Sequence, residues 1–540
     1  MIKNNNSAKP FKVLIPTAGL GSRTENLSKN INKALISIAH KPIISYIIEK
    51  FPKNAEFVIP LGYKGDTVKS FLKLAYPDRS FIFVDIDLYE GEGSGLGYTM
   101  MKCQDHLQEP FIFNSNDTMV LEEIIEPRFN WMGYAETENN NQYRSVRIEQ
   151  EKVVEICAKG AMGDTKAYIG LAGIYDYEIF WDSMNEGAKS GSIEIGESFG
   201  LRNLINKTIK AKEYSWFDTG NLEEIQKTRD FFSNNIENNI DANILEKQDE
   251  AIWFVDETVI KFSIDDEFIL NRVKRSKNLS GYIPKIVNST NNMYSYKKVD
   301  GEVFSRNPTV PKFKKFLEGM ESFWEPKVLD NDNTAAFYNN CMIFYKEKTY
   351  SRVKQFLSTF EQIDIQEEIN GRKIPKLFDM LDSVDWDNLS KGTPVKFHGD
   401  LHFENILLNA DNNSNLSFTL LDWRQDFGGN MEYGDLYYDL GKLNHGIIMS
   451  HELIDKNLFE VKHSMNKIHF DFHRKQNLVD CQVFFKAWIL ENNLDYGKVQ
   501  LMTALIFLNI AALHHYPYSL LLFYLGKSML FDPNFDTAER

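Results

Sequence analysis

The stretch Phe11-Lys-Val-Leu-Ile-Pro-Thr-Ala-Gly-Leu-Gly-Ser-Arg23 sets the fold of the first half of the chain. Its apolar run, Val13 to Pro16, passes directly into a loop with two glycines that ends on an arginine. Glycine lets backbone amides come close to a phosphate, and an arginine neutralises the charge that arrives. Working outward, short apolar runs alternate with helical spacing: Ile43 to Lys50, Phe57 to Pro60, Thr67 to Leu74 and Phe81 to Asp85. The alternation predicts β-α-β-α-β and an α/β domain on a mostly parallel sheet. Ligands of such sheets bind beyond the carboxyl ends of the strands. Arg23, Lys33 and Lys41 are the cations that converge there.

At 540 residues the chain is about twice the length at which single cores stop growing, so two domains are expected. With 43% hydrophobic, 25% charged and 13% aromatic residues, it can build and cover two cores and is not disordered. A formal charge of -15 argues against nucleic acid or an acidic membrane as a partner, so any anionic ligand must be held locally. Cys103, Cys157, Cys341 and Cys481 lack metal-ligand spacing and fit buried thiols in a reducing compartment. The opening MIKNNNSAKP has no apolar run of a signal peptide, and the expected location is cytoplasmic. Leu501 to Leu513 is apolar but short, and is read as a buried helix without membrane insertion.

The boundaries expected are a first domain at 1–232, a polar, Asn-rich linker at 233–249 and a second domain at 250–540. The second domain opens with strands at Ala251 to Phe254 and Thr258 to Phe262 across an Asp-Glu turn, then a helix from Asp266 to Lys277. Helical patterns dominate after Asn307, broken by short strands at Val395 to Phe397 and Phe418 to Leu421.

Residues 11 to 232 resemble the sugar-phosphate nucleotidylyltransferases. The matching pieces follow in order: the Gly-rich loop ending on Arg23, then Lys33, Lys41-Pro42, Gly62-Tyr-Lys64, and Gly91-Glu-Gly-Ser-Gly-Leu-Gly-Tyr98. Asn114-Ser-Asn-Asp117, Glu155-Ile-Cys-Ala-Lys159, Ile169 to Tyr175 and Trp216-Phe-Asp218-Thr-Gly-Asn221 complete the set. The resemblance implies a Rossmann-like fold of nucleotidyltransferase type. Ala18, Gly19, Gly21, Ser22, Gly93 and Gly95 would bind nucleotide, and Arg23 and Lys33 would act in catalysis. Lys159 would hold the acceptor phosphate, with magnesium on Asp117 and Asp218. Two departures stand out, Asn116 where the family has glycine and Ala158 where it has an acidic residue.

Val395-Lys-Phe-His-Gly-Asp-Leu-His-Phe-Glu-Asn-Ile-Leu-Leu408, followed by Phe418-Thr-Leu-Leu-Asp422-Trp423, places two carboxylates and an amide at the ends of short strands. It resembles the catalytic loop and metal aspartate of aminoglycoside phosphotransferases and choline kinases. That implies an α+β, protein-kinase-like domain with a small N-lobe and a helical C-lobe. Asp400 would take the acceptor's proton, Asn405 and Asp422 would hold magnesium, and Lys261 would hold ATP phosphates. The lysine's acidic partner stays open between Asp266 and Glu267. His398 is expected to fix the loop and Asp435 to brace it. Trp324, Trp423 and Trp488 are candidates for an aromatic cage around a quaternary ammonium.

Together the resemblances imply a bifunctional enzyme using ATP and a second nucleotide triphosphate, CTP before UTP. Its partners would be small molecules such as sugars, polyols or amino alcohols, with homo-oligomerisation left open. A resistance-type phosphotransferase is a second reading. Nucleotide binding without turnover would require lost acids, yet Asp117, Asp218, Asp400, Asn405 and Asp422 are all present.

Overall fold

The computed structural model describes residues 11–137, 140–161, 163–235, 249–410, 416–464, 466–532 and 535. They form two compact units, the first holding the described residues up to 235 together with 249–265 and 288–295, the second holding 266–287 and those from 296 onward. Most of the expected linker, 236–248, lies outside the described residues.

The first unit follows the predicted alternation: β1 (Lys12–Leu14), α1 (Ile43–Ile48), β2 (Glu56–Leu61), α2 (Gly65–Ala75) and β3 (Ser80–Asp85). After these come β4 (Phe111–Asn114), β5 (Thr118–Val120), β6 (Trp131–Ala135), β7 (Ser145–Glu149) and β8 (Lys152–Cys157), then β9 (Lys166–Ile174), β10 (Ile209–Glu213) and β11 (Trp216–Asp218). Nine strands form one sheet in the order β3-β2-β1-β4-β9-β6-β10-β8-β7. Val13, Phe57 and Ile112 are buried in one cluster while Leu14, Val58 and Phe113 are buried in another. Alternate residues thus enter opposite cores, and burial on both faces makes the strands read as continuous apolar runs.

The sheet is mixed, which corrects the mostly parallel expectation. β3, β2, β1 and β4 run parallel, but β9 pairs antiparallel with β4, β6 and β7. The cause is the connections. β7 and β8 are joined only by Gln150 and Glu151, both at positive φ, and so short a link permits only an antiparallel hairpin.

β12 (Glu250–Val255) and β13 (Thr258–Ser263) pair across Asp256 and Glu257 as the pattern predicts. Their apolar residues Trp253, Val255, Ile260 and Phe262 lie in the core of the first unit, with Trp253 edge-on to Phe71 at 5.2 Å. A hairpin expected to open the second domain therefore completes the first unit.

The second unit begins with α3 (Asp266–Ser276) and includes α4 (Lys348–Thr359), α5 (Leu436–Ile448), α6 (Tyr496–Ala511) and α7 (Tyr518–Phe531). The hairpin of β14 (Ile406–Ala410) and β15 (Leu416–Leu420) stands between the two expected pieces of its motif. The expected strand at Val395 to Phe397 shrinks to the pair Pro394–Val395, because the next residues leave the ladder to form the loop of the site. The apolar run Leu501 to Leu513 falls mainly on α6, packed against α7. No described helix is long and apolar enough to cross a membrane. All four cysteines are buried and free.

Candidate functional sites

In the first unit the phosphate loop is pinned from beneath by Asn32. Its side chain donates to the carbonyls of Thr17 at 2.9 Å and Tyr63 at 2.6 Å, and accepts from the Ala34 amide at 2.9 Å. Loop, second strand end and the turn bearing Lys33 are thereby one piece. Gly21 is left-handed at φ +70, and a Cβ there would lie 3.1 Å from that of Lys33. Ala18 is buried, and its carbonyl accepts from the Tyr63 amide at 2.9 Å, while Ser22 begins a short 3-10 turn.

Asp117 and Asp218, 101 positions apart, are brought together by β5 and β11, in which Asp218 pairs with Thr118. The Thr219 amide also donates to the Asp117 carbonyl at 3.0 Å. The Lys33 ammonium lies 2.8 Å and the Arg23 guanidinium 3.7 Å from one Asp117 oxygen, and the Ser115 hydroxyl donates to the other at 2.5 Å. Burial alone would raise the Asp117 pKa, but these partners, Lys33 first, hold it well below the carboxylate range. Asp218 shifts upward, through burial and then the charge of Asp117, although the Gly220 amide and the Tyr143 hydroxyl donate to it at 2.7 and 2.9 Å. Asn116 is not among the residues at positive φ, so this chain needs no glycine before Asp117.

Gly93 is left-handed, and a Cβ at Gly95 would meet the Ile193 carbonyl oxygen at 2.5 Å, so this segment packs closely on the helical part of the unit. Lys159 is exposed in the turn after β8 and, among the described residues, touches neither aspartate. Sequence reasoning missed Asn32 and Tyr143, whose residue types carry no phosphate or metal signal. It also missed Glu197, buried at the start of a helix, whose carboxyl is pushed up to about 7 by burial despite the opposing charge of Arg144.

In the second unit Asp400, Asn405 and Asp422 surround the loop His398 to Asn405. Asn405 donates through its amide nitrogen to the Asp400 carbonyl at 2.9 Å, which leaves its oxygen as the atom able to meet a cation. Asp422, left-handed at φ 58, is ion-paired to Arg272 of α3. The Leu421 amide donates to the Asn405 carbonyl at 2.8 Å, tying strand end to loop. Gly399 is at φ +88, and a Cβ there would lie 2.6 Å from that of Arg424, so only glycine fits between histidine and aspartate.

The brace of this loop is Asp439. It accepts from the His398 amide at 2.8 Å, the Gly399 amide at 2.7 Å and the Trp324 indole at 3.2 Å, and burial raises its pKa to about 6. Asp435 instead accepts from the Thr393 amide at 2.8 Å and the Tyr345 hydroxyl at 2.7 Å, bracing a neighbouring turn. His398 is buried and its Nδ1 accepts from the Asp400 amide at 3.2 Å, the loop-fixing part expected of it. Trp324 and Trp423 are buried and donate to Asp439 and the Arg272 carbonyl, so neither forms an open cage.

Lys442 lies 2.9 Å from Asp400, a contact no motif announced. His402 lies 3.7 Å from Asp400, with its ring 6.4 Å from that of His445 and 5.7 Å from that of His451. Against the desolvation of Asp400, Lys442 and His402 hold its pKa well below the usual range. Lys261 is buried on β13 in the first unit, while Asp266 and Glu267 are exposed at the head of α3.

Both sites present hard oxygen donors, the kind magnesium prefers. Among the described residues no group of three or more His, Cys, Asp or Glu could hold a metal. Each pair therefore fits magnesium only with waters and substrate phosphates completing its shell, the usual habit of that ion.

No family model matches the chain. Its N-terminal two fifths matches nucleotidyltransferases. The bifunctional protein GlmU of Methanocaldococcus jannaschii is 26% identical over 245 residues, 43% of this chain and 57% of the relative. That of Methanococcus vannielii is 24% identical over 246 residues, again 43% and 57%. The chain thus spans 57% of the length of these curated relatives. Among solved structures, CTP:phosphocholine cytidylyltransferase from Streptococcus pneumoniae is 19% identical over 41% of this chain and 99% of its own, with a TM-score of 0.36. UDP-glucose pyrophosphorylase complexed with UDP-glucose is 18% identical over 42% and 99%, with a TM-score of 0.36.

Proposed function

We propose that the chain carries out two successive transfers. The second unit phosphorylates a small hydroxylated molecule with ATP, and the first unit joins a nucleotidyl group to the resulting phosphate, CMP before UMP. The product is an activated precursor of the kind consumed in surface polysaccharide synthesis. The observation that supports the reading best is the joining of Asp117 and Asp218 by one strand pair, under Lys33 and Arg23, at the end of a glycine loop.

In the first unit a phosphate oxygen of the acceptor attacks the α-phosphorus of the triphosphate and pyrophosphate leaves in line. The attacking oxygen is already ionised, so no base is needed and charge placement is the main task. Arg23 and the amides of Ala18 to Ser22 hold the triphosphate. Lys33 shifts from Asp117 toward the reacting phosphates as they arrive, and the exposed Lys159 reaches the acceptor phosphate. In the second unit Asp400 orients the acceptor hydroxyl and Lys442 steadies Asp400. When bound at either pair of ligands, magnesium supplies neutralisation of phosphate charge.

Phosphorus NMR with magnesium, ATP and each of CTP, UTP, GTP and dTTP, against sugars, polyols and amino alcohols, reads both steps. Asp400→Asn should stop monoester formation and spare diphosphate formation from supplied monoester, whereas Asp117→Asn should do the reverse. Loss of both steps in either variant would overturn the two-site reading.

A further inference from the structure

We infer that the acceptor taken at Asp400 is an alcohol that also bears an anionic group, a carboxylate or a phosphate ester. The inference rests on reading the second unit as a phosphotransferase and names the class of molecule it uses. Facing Asp400 is more positive charge than the protein itself balances. Lys442 is matched by Asp400 at 2.9 Å. Lys348 and Arg424 are not: among the described residues neither has an acidic partner within 4.0 Å.

These two cations share one ring. The Lys348 ammonium lies 4.2 Å and the Arg424 guanidinium 4.8 Å from the centre of Phe344. The Lys348 ammonium is also 5.8 Å from Tyr438, one helical turn before Lys442. An aromatic face offsets a single cation only weakly, far short of relieving two like charges set on one ring in a partly dry site. Consistent with this, burial, then Arg424 and Lys442, press the Lys348 pKa well below its ordinary value, with Asp400 acting in the opposite direction. One turn beyond Lys442, His445 is 3% exposed and, among the described residues, neither ring nitrogen has a hydrogen-bond partner. Burial and Lys442 keep that imidazole neutral, able both to donate to and accept from a polar ligand. A quaternary or primary ammonium acceptor would add a further positive charge to this cluster. An anion removes the imbalance.

The reaction is that of any alcohol. The acceptor oxygen bonds to the γ-phosphorus, the bond from that phosphorus to the bridging oxygen breaks, ADP leaves, and the hydroxyl proton passes to Asp400 and then to water. The anionic group takes no part in it and lies against Lys348 and Arg424.

The test uses the full chain with glycerate and glycerol 3-phosphate, set against glycerol, ethanolamine and choline, by calorimetric binding and by ATP-dependent phosphorylation. One or both anions should show kcat/KM at least tenfold above glycerol, with the ammonium compounds lowest, and comparing the two anions tells carboxylate from phosphate. Lys348→Met should raise the KM for the anionic acceptor about tenfold and that for ATP less than twofold. Lys348→Arg should restore most of the loss, and Lys346→Met, an exposed neighbour, should change neither constant. Better turnover of glycerol or choline overturns the inference and leaves the phosphotransferase standing. So does Lys348→Met acting on the KM for ATP and not on that of the acceptor. If the anions bind in a Lys348-dependent way but none is phosphorylated, the anion site stands and the phosphotransferase reading falls. If no anion binds, the inference is wrong.

Discussion

Asn32 makes three hydrogen bonds from a fully buried position, to Thr17, Tyr63 and Ala34. Asn32→Ala should leave those groups unsatisfied, cost about 1–3 kcal/mol in denaturant unfolding of the first unit, and slow pyrophosphate release by loosening the loop from Lys33. Glu197 makes the opposite kind of prediction. Its carboxyl titrates at about 7 when folded against 4.5 as reference, so the stability it gives is fully present below pH 4.5 and is lost as pH rises through 7. Glu197→Gln should therefore gain thermal stability over the parent between pH 5 and pH 8, by up to about 3 kcal/mol. A gain equal at both values would rule this out. Arg23, Lys33 and Asp117 were legible because charged residues beside a glycine loop announce phosphate chemistry, and the structure does set them together. Asn32, Glu197 and Lys442 were not, since an amide, a carboxylate and a lysine inside helical or turn sequence look the same whether they touch solvent or a loop far along the chain.

At the level of elements, close approach decides more than contact strength. A Cβ at Gly62 would sit 2.5 Å from the Ala18 carbonyl oxygen, so Gly62→Ala must push the phosphate loop away from β2. The expected result is a loss of about 1–3 kcal/mol by overpacking and a larger fall in nucleotidyl transfer than in ATP-dependent phosphorylation, measured side by side. Asp439→Ala, which frees the amides of His398 and Gly399, should lower phosphorylation at least tenfold while nucleotidyl transfer holds. The parallel strands were readable because burial on both faces makes them uninterrupted apolar runs. The antiparallel half was not, because hairpin returns such as Gln150-Glu151 lack glycine and proline and adopt positive φ under tertiary constraint. The pairing of β5 with β11 has no local signal either: strands of three residues, almost a hundred positions apart, are specified by what surrounds them.

For the whole molecule, chelation should silence both transfers at once, and magnesium alone should restore both, since each pair of ligands fits that ion. The hairpin β12–β13 carries a different kind of consequence, for how a gene of this type can be divided. Cutting after residue 235 would deprive the first unit of Trp253, Val255, Ile260 and Phe262, four buried residues worth about 1.5–3 kcal/mol apiece. Their sum rivals the entire stability of a typical domain. A fragment ending at residue 235 should be expressed as an aggregate, while one ending at Ser295 keeps its own lining. The polar stretch that looks like a seam is thus not a place where either half could be inherited, exchanged or shed alone.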